Sequence, residues 1–265
     1  MTVGGRGSRI FVGMSVAIAV LAGCGPTEGL SLDPPGRSDS QGGDKGGGQG
    51  DDTAKSHGTN PLDNPDGTDP GLGRITSGKD RTDARNLIDQ VKTKGRGPKT
   101  GYDREEFGYA WADNADDVPL AHNGCDTRND LLKRDGEKVK YRSGSDCVVV
   151  SMTLYDPYTG DTIDFRKEDA SEVQIDHVMP LSYDWQMGAS RWSDAERKRI
   201  ANDPLNLLPV DGSANSAKGD SGPASWLPPA KGIRCSYAVR FAQVAIKYDL
   251  PVTAADKDVM LDQCA

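Results

Sequence analysis

Two stretches, Gln174-Ile175-Asp176-His177-Val178-Met179-Pro180 and Asp203-Pro204-Leu205-Asn206-Leu207-Leu208-Pro209-Val210-Asp211-Gly212-Ser213-Ala214-Asn215-Ser216-Ala217-Lys218-Gly219-Asp220, decide how this chain is read. The β-branched run Glu172 to Val178 predicts a short strand with Asp176 and His177 near its end. Ser193-Asp194-Ala195-Glu196 is a capping box opening a helix that stops near Asn202, where Asp203-Pro204 breaks the chain. Leu205 to Val210 then reads as a second strand, Asp211-Gly212 as a tight turn, and Asn215 as lying just before a short helix. Strand, loop, strand and helix bring Asp176 and Asn215 from opposite elements towards one point.

Those residue types suit hydrolysis of a phosphodiester. The reaction needs a water deprotonated in line with the leaving oxygen and positive charge against the developing phosphorane. Histidine supplies a base at neutral pH. His177 is the histidine inside this motif-rich segment, whereas His57 falls in a low-complexity stretch and His122 in a turn beside Asn123-Gly124. Taken alone, His177 is more often a structural histidine; the combination carries the reading. Asp176 and Asn215 offer a carboxylate and an amide oxygen to a hard cation such as Mg²⁺ or Mn²⁺ that keeps most of its waters. Asn206 lies between them, as a brace for the connecting loop or as an ordinary turn asparagine.

Outward from this segment the pattern is α+β. Thr82 to Val91 has helical spacing of Ala84, Leu87, Ile88 and Val91. Cys147 to Leu154 and Thr162 to Phe165 read as a β-hairpin around the turn Asp156 to Asp161. Ala238, Phe241, Ala242, Ala245 and Ile246 form one face of a helix, and Thr253 with Asp256 caps another. These apolar faces are core.

At the amino end, Arg6 and Arg9 precede the apolar run Ile10 to Ala22, which is short for a membrane span and reads as a signal peptide over residues 1–23. Leu21-Ala22-Gly23-Cys24 resembles a bacterial lipobox, with Cys24 as the lipidated first mature residue; an ordinary signal peptide with an incidental cysteine is the alternative. The expected location is the outer face of the cell membrane, or else free secretion. Residues 24–80, rich in Gly, Asp, Ser and Pro, are expected to be a disordered tether, and residues 81–265 one globular domain. Cys125, Cys147, Cys235 and Cys264 remain for two disulfides in an exported chain. Three connectivities are open; pairing Cys125 with Cys147 and Cys235 with Cys264 closes two short loops. A zinc site has no C-x-x-C pair to support it.

The formal net charge is −8, opposite in sign to that of a typical sequence-independent nucleic-acid binder. Basic clusters such as Lys92, Lys94, Arg96 and Lys99 are more often solvated faces than binding sites. Any affinity for nucleic acid is therefore expected to be modest and cation-dependent.

Asp176-His177-Val178-Met179-Pro180-Leu181, the string at Asp203 to Leu208, Asn215 with Lys218-Gly219-Asp220, and Trp226-Leu227-Pro228-Pro229 resemble the HNH endonuclease family. The similarity is to its secreted bacterial branch, related to the carboxy-terminal domains of GmrSD-type restriction enzymes. Gly101 to Trp111 and Asn123 to Leu132 resemble the same branch. The resemblance implies a ββα-metal core with flanking helices and a small hairpin, His177 as general base, Asp176 and Asn215 as metal ligands, and Asn206 as loop support. Asn215 stands where many HNH proteins have a histidine, a variant familiar from the HNH domains of RNA-guided nucleases. Lys218 and Arg128 are candidates for the scissile phosphate. The implied activity is metal-dependent endonucleolytic hydrolysis of DNA, with RNA in second place, and no protein partner is inferable. The rival is a non-catalytic envelope lipoprotein that uses the scaffold to bind nucleic acid or a protein.

Overall fold

The hairpin around Asp156 to Asp161 sits inside a three-stranded antiparallel sheet. In the computed structural model, which describes residues 57–265, β1 (Glu137–Tyr141), β2 (Val149–Tyr155) and β3 (Thr162–Arg166) lie in that order. Tyr155 faces Thr162 across the turn. Helix α1 (Gly78–Asp89) precedes this sheet, and α2 (Thr127–Asp135) runs into β1. The sheet and α2 bury Leu131, Leu132, Met152, Leu154 and Phe165 in a small core that also takes Val173, Ile175 and Leu207.

A second antiparallel sheet pairs β4 (Val173–His177) with β5 (Leu207–Asp211), Asp176 facing Leu208 and His177 facing Leu207. Between them run α3 (Leu181–Met187) and α4 (Asp194–Asn202), the latter opened by the predicted capping box of Ser193 and Glu196. Helix α5 (Gly212–Lys218) follows β5 directly. Asp211-Gly212 is thus a helix start and not a free turn, because Asp211 caps it by accepting from the Ala214 amide at 2.7 Å. Gly212 is required by close approach, since a Cβ there would lie 2.2 Å from the Ser171 carbonyl oxygen. Asn215 falls within α5 rather than before it. Helices α6 (Arg234–Lys247) and α7 (Ala254–Gln263) pack with α1 and α3 around the larger core, where Tyr237, Ala238, Phe241, Ala242 and Ala245 are buried, whereas Ile246, expected on the same core face, is exposed in the last turn of α6. The architecture is α+β, and the two disulfides are Cys125–Cys147 and Cys235–Cys264, the local pairing.

The expected tether of residues 24–80 ends too late. From His57 onward the chain belongs to the folded unit: Leu72 and Ile75 are buried, and Asn60 caps a 3-10 turn at Pro61–Asp63. Its backbone carbonyls are met by side chains of the domain, Gln243 Nε2 donating to Pro61 O at 2.7 Å, Arg134 Nη1 to Gly67 O at 2.7 Å and Ser236 Oγ to Gly73 O at 2.6 Å. Composition registers the sparse apolar residues but not such backbone docking. Residues 1–56, with the signal peptide, Cys24 and most of the tether, lie outside the described residues. Among the described residues no helix is long and apolar enough to cross a membrane.

Candidate active site

The second sheet ends at His177 because the next residues turn away to begin α3, with Pro180 as its N-cap. Asn206 fixes that exit. It is fully buried; its Oδ1 accepts from the Met179 amide at 2.8 Å, its Nδ2 donates to Met179 O at 3.2 Å, and its own carbonyl accepts from the Val178 amide at 2.8 Å. Asn206 is thus in two-sided contact with one residue of the turn, the arrangement a loop brace would need.

His177 is 7% exposed, and its Nε2 lies 2.9 Å from the Ala201 carbonyl oxygen. A carbonyl only accepts, so Nε2 carries the proton and Nδ1 keeps its lone pair. Trp111 stacks beside the imidazole, with ring centroids 6.0 Å apart and planes 13° from parallel. Burial first, and then the Arg104 guanidinium, push the His177 pKa down to about 3, so the ring is neutral at physiological pH. The unfolded chain consequently binds a proton that the native chain refuses between about pH 6.5 and pH 3. The associated loss of stability is absent above pH 6.5, grows as pH falls, and levels off below pH 3. Unfolding free energies from urea titrations across this window should fall less steeply with acid for His177→Gln than for wild type, by an amount on the order of a few kcal/mol at the acid end. Parallel profiles for the two proteins would contradict the neutral assignment.

Asp176 is buried among partners. Lys218 Nζ donates to Oδ1 at 2.9 Å and to the His177 carbonyl at 2.7 Å, and Tyr158 Oη donates to Oδ2 at 2.5 Å. Tyr158 comes from the hairpin turn, whose head is held by Asp156. Burial pushes the Asp176 carboxyl up and the Lys218 ammonium down, each opposed by the other's charge. Asn215 donates from Nδ2 to Gln174 Oε1 at 2.8 Å, which leaves its amide oxygen as the atom available to a cation. Asp176, His177, Asn215, Asp220 and Arg104 all border one cleft of about 190 Å³. Oxygen donors from a carboxylate and an amide fit a hard divalent cation. Among the described residues no group of three or more His, Cys, Asp or Glu could form a closed metal cage. A cation here would keep most of its ligands as water and would share Asp176 with Lys218.

The two residues proposed for the scissile phosphate are placed elsewhere. Lys218 is 1% exposed and committed to Asp176, because α5 turns its last residue inward under β4. Arg128 donates from Nη2 to the carbonyls of Val173 at 3.0 Å and Ala170 at 3.3 Å and borders a separate cavity. Arg104 stands at the cleft instead. It opens a 3-10 turn at Arg104–Phe107, capped by Asp103, and its exposed side chain forms no hydrogen bond or ion pair among the described residues. It borders both the cleft with Asp176 and Asn215 and a larger one of about 590 Å³ that His177 also lines. Sequence reasoning passed over it because Arg104 lies far from the motif in the chain. The available signal was an arginine within the aromatic, glycine-punctuated string Gly101 to Trp111.

Residues 126–263 match the family described as GmrSD restriction endonucleases, C-terminal domain. An uncharacterized secreted protein of Arthroderma benhamiae is 38% identical over 186 residues, covering 68% of this chain and 84% of that protein. No solved structure matches the chain.

Proposed function

This chain belongs to the family of GmrSD restriction endonuclease C-terminal domains, and on that premise we propose that it is an exported, metal-dependent endonuclease of the HNH type acting on DNA, with RNA as a second substrate. The family membership suggests nuclease activity; the HNH type, the metal and the residue roles are our reading. One observation carries it: His177, whose Nδ1 and whose neighbour Arg104 have no hydrogen-bond or ion-pair partner among the described residues, shares a cleft with Asp176 and Asn215.

In this reading β4, β5 and α5 make the ββα core. His177 Nδ1 takes the proton of the attacking water while Ala201 holds Nε2–H and so fixes the ring. Asn206 keeps His177 in place through the Met179 backbone. Asp176 and Asn215 would hold the Mg²⁺ or Mn²⁺ ion, which when bound supplies positive charge against the developing phosphorane and leaving oxygen. Arg104 contacts non-bridging oxygens of the scissile phosphate in the role first given to Lys218 and Arg128. Lys218 positions the Asp176 carboxylate. Supercoiled plasmid should be nicked by the wild-type chain in Mg²⁺ or Mn²⁺ and left intact in EDTA. Intact plasmid together with an intact single-stranded DNA circle under all three conditions would refute the hydrolytic reading.

Two disulfides fit an oxidising compartment, and the relative is described as secreted, which supports export. Lipid attachment at Cys24 is the further proposal, resting on the lipobox-like Leu21 to Cys24. A palmitate analogue should label the wild-type protein and not Cys24→Ala. Equal absence of label in both would leave secretion without an anchor.

A further inference from the structure

Residues from Asp103 to Trp111, which precede the start of the family match at 126, line one wall of the larger cleft. Its tip is aromatic. Tyr109 is 86% exposed, and the Tyr109-Ala110-Trp111 ridge separates the cleft that holds Arg104 and His177 from the cavity bordered by Arg128 and Lys167. Trp111 adopts φ 59°, in the left-handed region that a bulky side chain rarely enters, and in this conformation its indole lies beside His177. An aromatic so exposed has no packing role to explain it, and the same wall carries the Arg104 guanidinium, which has no ion-pair partner among the described residues.

We infer that this ridge is a base-stacking subsite for an unpaired nucleotide next to the scissile phosphate, so that the protein prefers single-stranded nucleic acid. The inference rests on the nuclease reading and specifies its substrate. Bases within a duplex have their faces covered by neighbours, so an exposed aromatic edge beside a cleft can stack only on a base that is free. The volume of about 590 Å³ lies in the range of small-molecule sites and so suits a nucleoside. Arg104, on the same wall, meets the phosphate while Tyr109 meets the base. The overall charge of −8 gives this account its weight: a chain that cannot gain affinity from bulk electrostatics needs contacts that do not depend on charge, and stacking is one.

The test is binding of fluorescein-labelled octadeoxyadenylate, and of a duplex of the same length, to the full chain in EDTA, read by anisotropy. Wild type is expected to bind the single strand more tightly than the duplex. Tyr109→Ala should weaken single-strand binding by about 5- to 150-fold, Tyr109→Phe should retain it, and Ile246→Ala, at an exposed position that lines neither cavity beside the ridge, should leave it unchanged. An octamer with abasic sites should bind wild type as weakly as the intact strand binds Tyr109→Ala. Wild-type affinity in Tyr109→Ala, or equal loss in Tyr109→Phe, would overturn the subsite even if plasmid nicking is normal. Tyr109-dependent binding with no cleavage in any metal would keep the subsite and refute the hydrolytic reading. No binding of either oligonucleotide would overturn the subsite.

Discussion

His177→Ala is expected to lower the cleavage rate by about 10²–10⁴-fold, the range for removing a positioned general base. Among the described residues the side chain makes one hydrogen bond, from Nε2 to Ala201 O, and packs against Trp111, so its loss removes Nδ1 without touching the contacts of Asp176 or Asn215. Metal binding should therefore persist. Circular dichroism and the urea midpoint of the variant establish that it is folded, and single-turnover conversion of plasmid measures the rate. The non-catalytic rival predicts no rate to lose.

Lys218→Met is expected to destabilise the protein by about 3–5 kcal/mol, because it strands a buried carboxylate from its counter-charge. The ammonium is fully enclosed and serves two acceptors, Asp176 and the His177 carbonyl. A lysine reaching from the surface to a phosphate would behave otherwise, with a change within about 0.5 kcal/mol. Asp176→Asn combined with Lys218→Met should recover much of the loss, since the uncompensated charge is then gone. Urea denaturation of the single and double variants decides between the two roles. A wild-type midpoint for Lys218→Met would return the lysine to the substrate face.

The parts of this site that sequence disclosed are those written in local pattern. β-Branched residues placed β4 with Asp176 and His177 at its end, and the run after Pro204 placed β5, although Leu205 and Asn206, read as strand, belong to a 3-10 turn ahead of it. The capping box of Ser193 and the cap of Thr253 are chemical signals read within four residues, and both helices begin where they indicate. What escaped was set by tertiary contact. Lys218 follows Asn215 by one helical turn, yet nothing in that spacing says that the helix end faces inward to a carboxylate. Tyr158 reaches Asp176 from a hairpin turn that looked like a connection alone. Arg104 and Trp111 come from a loop with little regular structure, brought to His177 by packing against α3 and α4. The residues after His57 were hidden for a further reason: their attachment runs through backbone carbonyls, which carry no compositional trace.

The central claim, that Asp176 and Asn215 hold the cation while His177 moves the proton, is tested most directly by measuring cleavage rate against Mg²⁺ concentration for wild type, Asn215→Ala and His177→Ala. Asn215→Ala deletes one of two protein oxygens, so its curve should shift to higher Mg²⁺ and recover part of the rate at saturation. His177→Ala should keep the wild-type midpoint with a maximal rate about 10²–10⁴-fold lower at every concentration. A His177→Ala curve that coincides with wild type would contradict the account.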